Sequence, residues 1–336
     1  MSDPVERMKV LVTGASGFVG AHLVAELAGA GHEVVATDIA APGGRGDPAF
    51  PAGMAFRRCD LEDSSAVREL VAGVRPDGVV HLAAQSSAAA SLEAPRATLE
   101  TNVFGTLNLL EAVRAASPAC PAARTASGKM RVLSIGSGEE YGARPRSEMP
   151  LGERSRVEPA SPYAVSKAAQ TMLAVQYARS YSLDVVATRS FSHTGPGQPE
   201  RFVLPSFARQ CAEIAAGKRP PLVRTGRLDV VRDYLDVRDV VRAYRLLLER
   251  GAEGEIYNVC SGEGVALRDA LAFFVRACGV EVAVEEDPRL MRPADIPALI
   301  GDNAKLVHDC GFARTIGVDT MLGDLFAHWE RVARES

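Results

Sequence analysis

Tyr163 and Lys167 stand four residues apart in the stretch Ser161-Pro162-Tyr163-Ala164-Val165-Ser166-Lys167. The stretch reads as the start of a helix. Ser161 suits the cap, because its hydroxyl accepts a bond from a free amide of the first turn. Pro162 suits the first helical position, where a missing N–H removes nothing. A spacing of four puts Tyr163 and Lys167 on one helix face, within reach of a common ligand. A phenol with a pKa of ~10 is a poor proton donor at neutral pH. A fixed ammonium beside it favours the phenolate and draws the pKa toward the working range. Tyr and Lys also meet at this spacing on ordinary surface helices, so the pair needs support from the rest of the chain.

That support begins at the amino terminus. Met8-Lys9-Val10-Leu11-Val12-Thr13 is a short apolar strand running into Gly14-Ala15-Ser16-Gly17-Phe18-Val19-Gly20. A helix follows with an apolar stripe at Val19, Leu23 and Leu27, ending near Gly29 or Gly31. Glu33 to Thr37 makes the next strand, closed by Asp38, 18 residues after Gly20. Strand, glycine loop, helix, strand and acid in this order form the context of a dinucleotide fingerprint. The glycines permit a tight turn and close approach to a pyrophosphate at the helix N-terminus. Asp38 then stands where a carboxylate accepts bonds from the adenosine ribose hydroxyls.

The elements that must position these groups alternate along the chain. Residues 40–55 are rich in Pro, Gly and Ala and read as a surface loop. A third strand runs over Phe56–Leu61 and ends at Asp60, before a helix from about Ser64 to Val74. The fourth, Gly78 to Ala84, ends in small residues that let a ligand approach the backbone, and His81 within it reads as a packed core histidine. Helical patterns cover about 95–116, and Ser117 to Lys129 is a Pro/Ala-rich insertion. The fifth strand, Arg131 to Ile135, leads into Gly136-Ser137-Gly138-Glu139-Glu140-Tyr141-Gly142, which carries Ser137 toward the pocket of Tyr163. A sixth strand spans Leu183 to Arg189.

Such alternation means an α/β fold with a doubly wound parallel sheet covered on both faces. Beyond Arg189 come a turn-rich loop, helices over Val203–Ala216 and Asp236–Arg250, and a strand at Glu255–Val259. Residues 1–189 and 229–262 are assigned to the dinucleotide-binding domain. Residues 190–228 and 263–336 are assigned to a smaller substrate-binding domain.

Composition narrows the function classes. The 336 residues are 47% hydrophobic and 24% charged, ordinary for a globular protein. A net charge of −4 without a basic run argues against nucleic acid or an anionic membrane as the main partner. Met1 to Lys9 is polar and mixed in charge, unlike a secretory signal, and no apolar run reaches the ~18 residues of a membrane span. The six cysteines form no CxxC pair and read as reduced, mostly buried thiols of a cytoplasmic protein. The six histidines form no HxxxH or HExxH group, so no metal is expected.

The residues together resemble the extended short-chain dehydrogenase/reductase family, in its nucleotide-sugar branch. The matching pieces are TGASGFVG at 13–20, Asp60-Leu61, LAAQ at 82–85, TNVFGT at 101–106, SxxxY at 137–141, YAVSK at 163–167 and VRD at 231–233. Within the branch, four stretches are similar to the GDP-4-keto-6-deoxy-D-mannose reductases that form GDP-D-rhamnose. They are GSGEEYG at 136–142, HTGPGQ at 193–198, RDYLDVRDVVRAY at 232–244 and RPADIPALIGDNAKL at 292–306.

The resemblance implies a Rossmann domain, a catalytic triad of Ser137, Tyr163 and Lys167, and reduction of a 4-keto nucleotide sugar. It assigns the dinucleotide to Gly14, Ser16, Gly17, Phe18, Val19, Gly20, Asp38, Asp60, Leu61, Leu82, Ala83, Ala84, Gln85 and Asn102, with Tyr163 and Lys167. It assigns the substrate to Glu139, Ser192, Val203, Arg232 and Arg292, the two arginines clamping phosphate oxygens. Asp38 would repel the 2′-phosphate of NADPH, so NAD(H) is favoured, with NADP(H) possible should Arg45 swing in. The helices near 100–116 and 162–181 resemble those of a four-helix homodimer interface.

Three departures stand out. Ser192 replaces an Asn that contacts substrate phosphate in the family, Gly138 replaces a frequent second Ser, and the 117–129 loop is long. Two other functions compete. One is a 4,6-dehydratase or 4-epimerase on the same scaffold, with Glu139 at the dehydratase base position. The other is a non-catalytic dinucleotide sensor, although sensors tend to lose the Tyr or Lys that this chain keeps.

Overall fold

Short β-branched strands separated by helices assemble one large parallel sheet in the computed structural model, which describes residues 6–41, 50, 53–117, 125, 127–291 and 296–335. Its first part runs β1 (Lys9–Thr13), α1 (Phe18–Gly29), β2 (Glu33–Asp38), β3 (Ala55–Arg58), α2 (Ser64–Val74) and β4 (Gly78–His81). The chain continues through α3 (Ala88–Glu93), α4 (Pro95–Leu99), a π-helical turn over Glu100–Phe104 and α5 (Gly105–Ala116). Then come β5 (Arg131–Ser137), α6 (Pro162–Tyr181) and β6 (Asp184–Ser190).

The second part runs β7 (Ser192–Thr194), α7 (Val203–Ala215), β8 (Leu222–Thr225), β9 (Val231–Asp236), α8 (Val237–Arg250) and β10 (Ile256–Val259). It ends with β11 (Gly264–Ala266), α9 (Leu267–Cys278), β12 (Ala283–Glu286), β13 (Ala298–Leu299), α10 (Ala304–Cys310) and α11 (Val318–Glu335).

The large sheet has the order β10-β6-β5-β4-β1-β2-β3 with every neighbour parallel, the doubly wound arrangement that the alternation predicts. Strand order reverses between β1 and β4, and a crevice opens at the carboxyl ends of strands at such a switch. The period of two decides the faces. Val10 and Val12 pack with Leu23, Leu27, Val240 and Tyr244 of α1 and α8. Leu11 points the other way, to Val67, Leu110 and Ala174 of α2, α5 and α6.

In the second part, β9 pairs with β7, β11 and β13, while β8 pairs with β12. Helices α7, α9 and α11 close a separate core around Phe207, Phe274 and Trp329. Of the stretch 229–262, α8 covers the large sheet and β10 joins it, whereas β9 belongs to the second sheet. The third strand is shorter than the sequence suggests: it ends at Arg58, and Cys59 N makes a last bond to Asp38 O at 3.0 Å before Asp60 turns away. Much of the 40–55 loop and of the 117–129 insertion, Arg45 and Cys120 included, lies outside the described residues.

Candidate active site

Helix α1 begins where the glycine loop leaves β1. Gly17 caps it with no side-chain bond, so the amides of the first turn are not taken by a cap. Gly14 has a φ of +68°, and a Cβ there would lie 2.6 Å from Ala83 N at the end of β4. A Cβ on Gly20 would lie 2.3 Å from Gly14 O. Only glycine lets the loop close this tightly, which brings the positive end of α1 to the crevice. That end suits an anionic diphosphate.

Asp38 stands beside the loop. Its two carboxylate oxygens accept from Ser16 N at 3.0 Å and Ile39 N at 2.7 Å. The crevice is a cleft of about 1310 Å³. From the large sheet it is lined by Gly14, Ser16, Gly17, Phe18, Val19, Gly20, Asp38, Asp60, Leu61, Leu82, Ala83, Ala84 and Gln85. Loop, acid and small strand-end residues together fit a nicotinamide dinucleotide.

Asn102 is different. It is fully buried and does not line the cleft. From the π-helical turn its side chain accepts from Gln85 N at 2.8 Å and donates to Gln85 O at 3.1 Å and Ser166 Oγ at 2.8 Å. The expected direct contact with a cofactor is therefore corrected: Asn102 ties Gln85 to the Tyr163 helix and acts through them. His81 is fully buried between Thr13 Oγ1 and Thr106 Oγ1, each at 2.9 Å. Burial, then the Lys167 charge, pushes its pKa down to about 3, so the ring is neutral.

The catalytic candidates meet at the centre of the cleft. Ser161 caps α6 by accepting from Ala164 N at 3.1 Å, with Pro162 at the first position. Tyr163, Lys167, Ser137 and Glu139 all line the cleft, and Ser137 hydrogen-bonds the Tyr163 phenol. Ser137 is itself held from below. Glu140 accepts from Ser137 N and from Thr171 Oγ1, each at 2.9 Å, and pairs with Arg189 at 2.9 Å.

Lys167 Nζ donates to Ile135 O at 2.8 Å and Gln170 Oε1 at 2.9 Å. Burial lowers its pKa to about 8, with the Glu140 charge acting against that. The Tyr163 phenol departs from the simple expectation of a lowered pKa. Burial, then the Glu139 carboxylate, raises it above its ordinary value, and the Ser137 bond only partly opposes them. The spacing of Tyr and Lys is local, whereas desolvation sums over the whole cleft.

The second part of the chain contributes Ser192, Val203 and Arg232 to the same cleft. Arg232 Nη1 is anchored on Val231 O at 3.0 Å and Ile296 O at 2.6 Å. Arg292 lies outside the described residues. Four arginines that sequence reasoning missed, Arg201, Arg224, Arg227 and Arg289, also line the cleft. Arg227 pairs with Asp229 at 2.6 Å and Arg289 with Asp287 at 2.7 Å. They come from separate segments, and only folding collects them. Gly138 sits beneath Phe191, where a Cβ would lie 3.0 Å from the ring.

Comparison with known proteins places this geometry in context. The family model described as GDP-mannose 4,6 dehydratase matches residues 11–325. A GDP-6-deoxy-D-mannose reductase of Pseudomonas aeruginosa is 36% identical over 327 residues, covering 97% of this chain and 99% of its own. Among solved structures, RMD from Pseudomonas aeruginosa complexed with NADPH matches with a TM-score of 0.82 at 34% identity, over 97% of this chain and 99% of that one. A UDP-glucose 4-epimerase of Thermus thermophilus in complex with NAD matches with a TM-score of 0.83 at 33% identity, over 96% and 99%.

Proposed function

This chain belongs to the GDP-mannose 4,6 dehydratase family, and we propose that within it the protein is a reductase of the extended short-chain type. Its proposed reaction is reduction of the 4-keto group of a nucleotide-activated 6-deoxy sugar, GDP-4-keto-6-deoxy-D-mannose. The likeness to a reductase over nearly the full length of both chains supports this reading. Dehydratases and epimerases share the scaffold, so the choice among them needs an observation of its own.

Gly138 carries that choice. A dehydratase must protonate a departing 6-hydroxyl as well as remove a proton at carbon 5. Gly138 has no side chain to donate, and Phe191 occupies the space in which one would stand. Burial and then the Glu139 charge raise the Tyr163 phenol above its ordinary value, so it enters the reaction protonated, the form a proton donor needs.

When bound, a reduced nicotinamide supplies the hydride to carbon 4 of the sugar. Tyr163 gives its proton to the oxygen that gains charge there. Ser137 hydrogen-bonds the same oxygen, held in place by Glu140 through its own backbone amide. The Lys167 ammonium stabilises the phenolate left on Tyr163 and holds the nicotinamide ribose. Glu139, at the dehydratase base position, serves here to keep the proton on Tyr163.

The α1 N-terminus would hold the pyrophosphate of the cofactor. Asp38 takes the adenosine ribose and favours NADH over NADPH. Arg232 and Arg292 hold the phosphates of the sugar nucleotide, with Arg201 lining the same cleft. Residues 1–189 and 229–262, apart from strand β9, are proposed as the cofactor part, with 190–228, 263–336 and strand β9 as the sugar-nucleotide part.

The exposed apolar residues Leu92, Phe104, Val165 and Met172 on α3, the π-helical turn and α6 support a homodimer through this face. Five described cysteines are free and buried, which supports a cytoplasmic setting. No helix among the described residues is long and apolar enough to cross a membrane.

Two incubations test the reaction. One holds GDP-mannose and oxidised cofactor, the other the 4-keto-6-deoxy sugar nucleotide and NADH. NADH consumption in the second, with no 4-keto product in the first, is expected. The reverse pattern overturns the reductase.

A further inference from the structure

Glu140 is fully buried. Taking a carboxylate out of water is strongly unfavourable, and a neutral side chain would hold the Ser137 amide as well. Its surroundings nevertheless fix it as a charge. Oε1 accepts from Ser137 N and Thr171 Oγ1, and Oε2 accepts from Arg189 Nε, each at 2.9 Å. Three donors and no acceptor meet the group among the described residues, so it is ionised, although burial by itself pushes its pKa up.

The three donors lie on three elements, β5, α6 and β6. Thr171 follows Tyr163 and Lys167 at steps of four, on the same face of α6. The carboxylate enters this junction past Gly136. A Cβ there would lie 2.5 Å from Glu140 Oε1 and 2.7 Å from Thr171 Oγ1, so any side chain at 136 would shut the carboxylate out.

Lys167 Nζ spends two N–H groups inside the protein, on Ile135 O and Gln170 Oε1. The ammonium has a third to turn into the cleft, whereas the neutral amine would present a lone pair there. The charge of Lys167 therefore decides whether it donates to a ligand. Three titratable groups face it: His81 from β4, Tyr163 on its own helix and Glu140 from the turn after β5. His81 is neutral and Tyr163 holds its proton. Burial and Glu140, and not Arg189, set the proton affinity of Lys167.

Resting on the reading of Tyr163 and Lys167 as catalytic, we propose that Glu140 is a positioning residue for the reaction. Its carboxylate seats Ser137 and α6 against each other and supplies the buried counter-charge that keeps the Lys167 ammonium donating into the cleft.

Two pH profiles of the intact chain test this: turnover of the 4-keto-6-deoxy sugar nucleotide with NADH, and NADH affinity by isothermal titration. In wild type both are expected to fall as pH rises through about 8. Glu140→Gln keeps an acceptor for Ser137 N and loses the charge, so both falls are expected about one pH unit lower. Glu140→Asp keeps the charge on a shorter stem. Its falls are expected to stay near 8, while turnover drops by about tenfold because Ser137 and Thr171 are no longer held together. Glu140→Gln also strands the Arg189 charge in the core. The double variant Glu140→Gln/Arg189→Gln leaves neither charge, and its falls are expected at the same lower pH should the single variant fail to fold.

Profiles of Glu140→Gln or of the double variant that still break near 8 overturn the proposal and leave Glu140 a support for the fold. A break in Glu140→Asp as low as that in Glu140→Gln also overturns it, since charge is then not the cause. A wild type that binds NADH with the expected profile and does not turn over the keto sugar overturns the reductase reading, a separate result, and the binding profiles still decide the role of Glu140.

Discussion

Replacing Asp38 by Asn is expected to remove most of the preference for NADH. The Asp38 carboxylate is not a loose surface charge, because Ser16 N at 3.0 Å and Ile39 N at 2.7 Å fix both its oxygens. Through Ser16 it is tied to the loop that receives the pyrophosphate. A 2′-phosphate on the adenosine ribose would bring a second negative charge beside it. Two unit charges ~5 Å apart repel by ~3 kcal/mol at an effective dielectric of ~20 and by under ~1 kcal/mol in bulk water. Asp38 is half-buried and Ile39 beside it is exposed, so ~1–2 kcal/mol survives at physiological salt. That is about a five- to thirtyfold preference, seen mainly in KM.

One cation works against it. The β2–β3 register sets Arg58 opposite Asp38, and Arg58 is exposed. Arg58→Ala is therefore expected to widen the NADH preference by about two- to threefold. The assay is the ratio of kcat/KM for NADH and NADPH in wild type, Asp38→Asn, Arg58→Ala and the double variant. Asparagine keeps one acceptor oxygen, so the loop retains part of its anchoring. A wild type that prefers NADPH, or a ratio untouched by Asp38→Asn, refutes the reasoning.

Other perturbations reach the rest of the site. Tyr163→Phe is expected to lower kcat by about 10²–10⁴-fold with NAD affinity nearly unchanged, since the lost hydroxyl faces the sugar; near-normal turnover makes Tyr163 structural. Turnover should fall as pH rises through about 8, where the buried Lys167 loses its proton. The sign on stability is opposite. Between about 8 and 10.5 the unfolded chain holds a proton that the folded one has released, so this group's penalty is full below 8 and relieved as pH rises. Lys167→Met should lack both effects in rate profiles and thermal melts. Gly138→Ala places a Cβ 3.0 Å from the Phe191 ring and is expected to destabilise by about 1–3 kcal/mol; an unchanged Tm means that the ring yields and weakens the case against a dehydratase. Light scattering should give twice the 35.6 kDa chain mass, and Met172→Lys should shift it toward the monomer; a wild type of 35.6 kDa alone counts against the dimer.

What the sequence alone determined is what short-range chemistry encodes. Ser161 and Pro162 announce α6 because a cap and an N1 proline act within one turn. The glycine loop and Asp38 announce a dinucleotide because the turn, the helix end and the acid lie within one βαβ unit. The doubly wound sheet follows from the repeated change of period between two and 3.6. Motif order along nearly the whole chain supplied the branch of the family.

Only the tertiary structure decided what depends on neighbours distant in sequence. Whether β9 pairs with β7 or joins the large sheet is not written in its own residues, since both places accept an apolar strand. Asn102 belongs to the fingerprint by sequence, yet its bonds to Gln85 and Ser166 withdraw it from the cleft. Arg201, Arg224, Arg227 and Arg289 are unremarkable surface residues until folding brings them to one cleft. The proton on Tyr163 is the clearest case. Its partner Lys167 is four residues away and easily read, but desolvation and the Glu139 field are sums over the folded surroundings, and those sums set the direction of the shift.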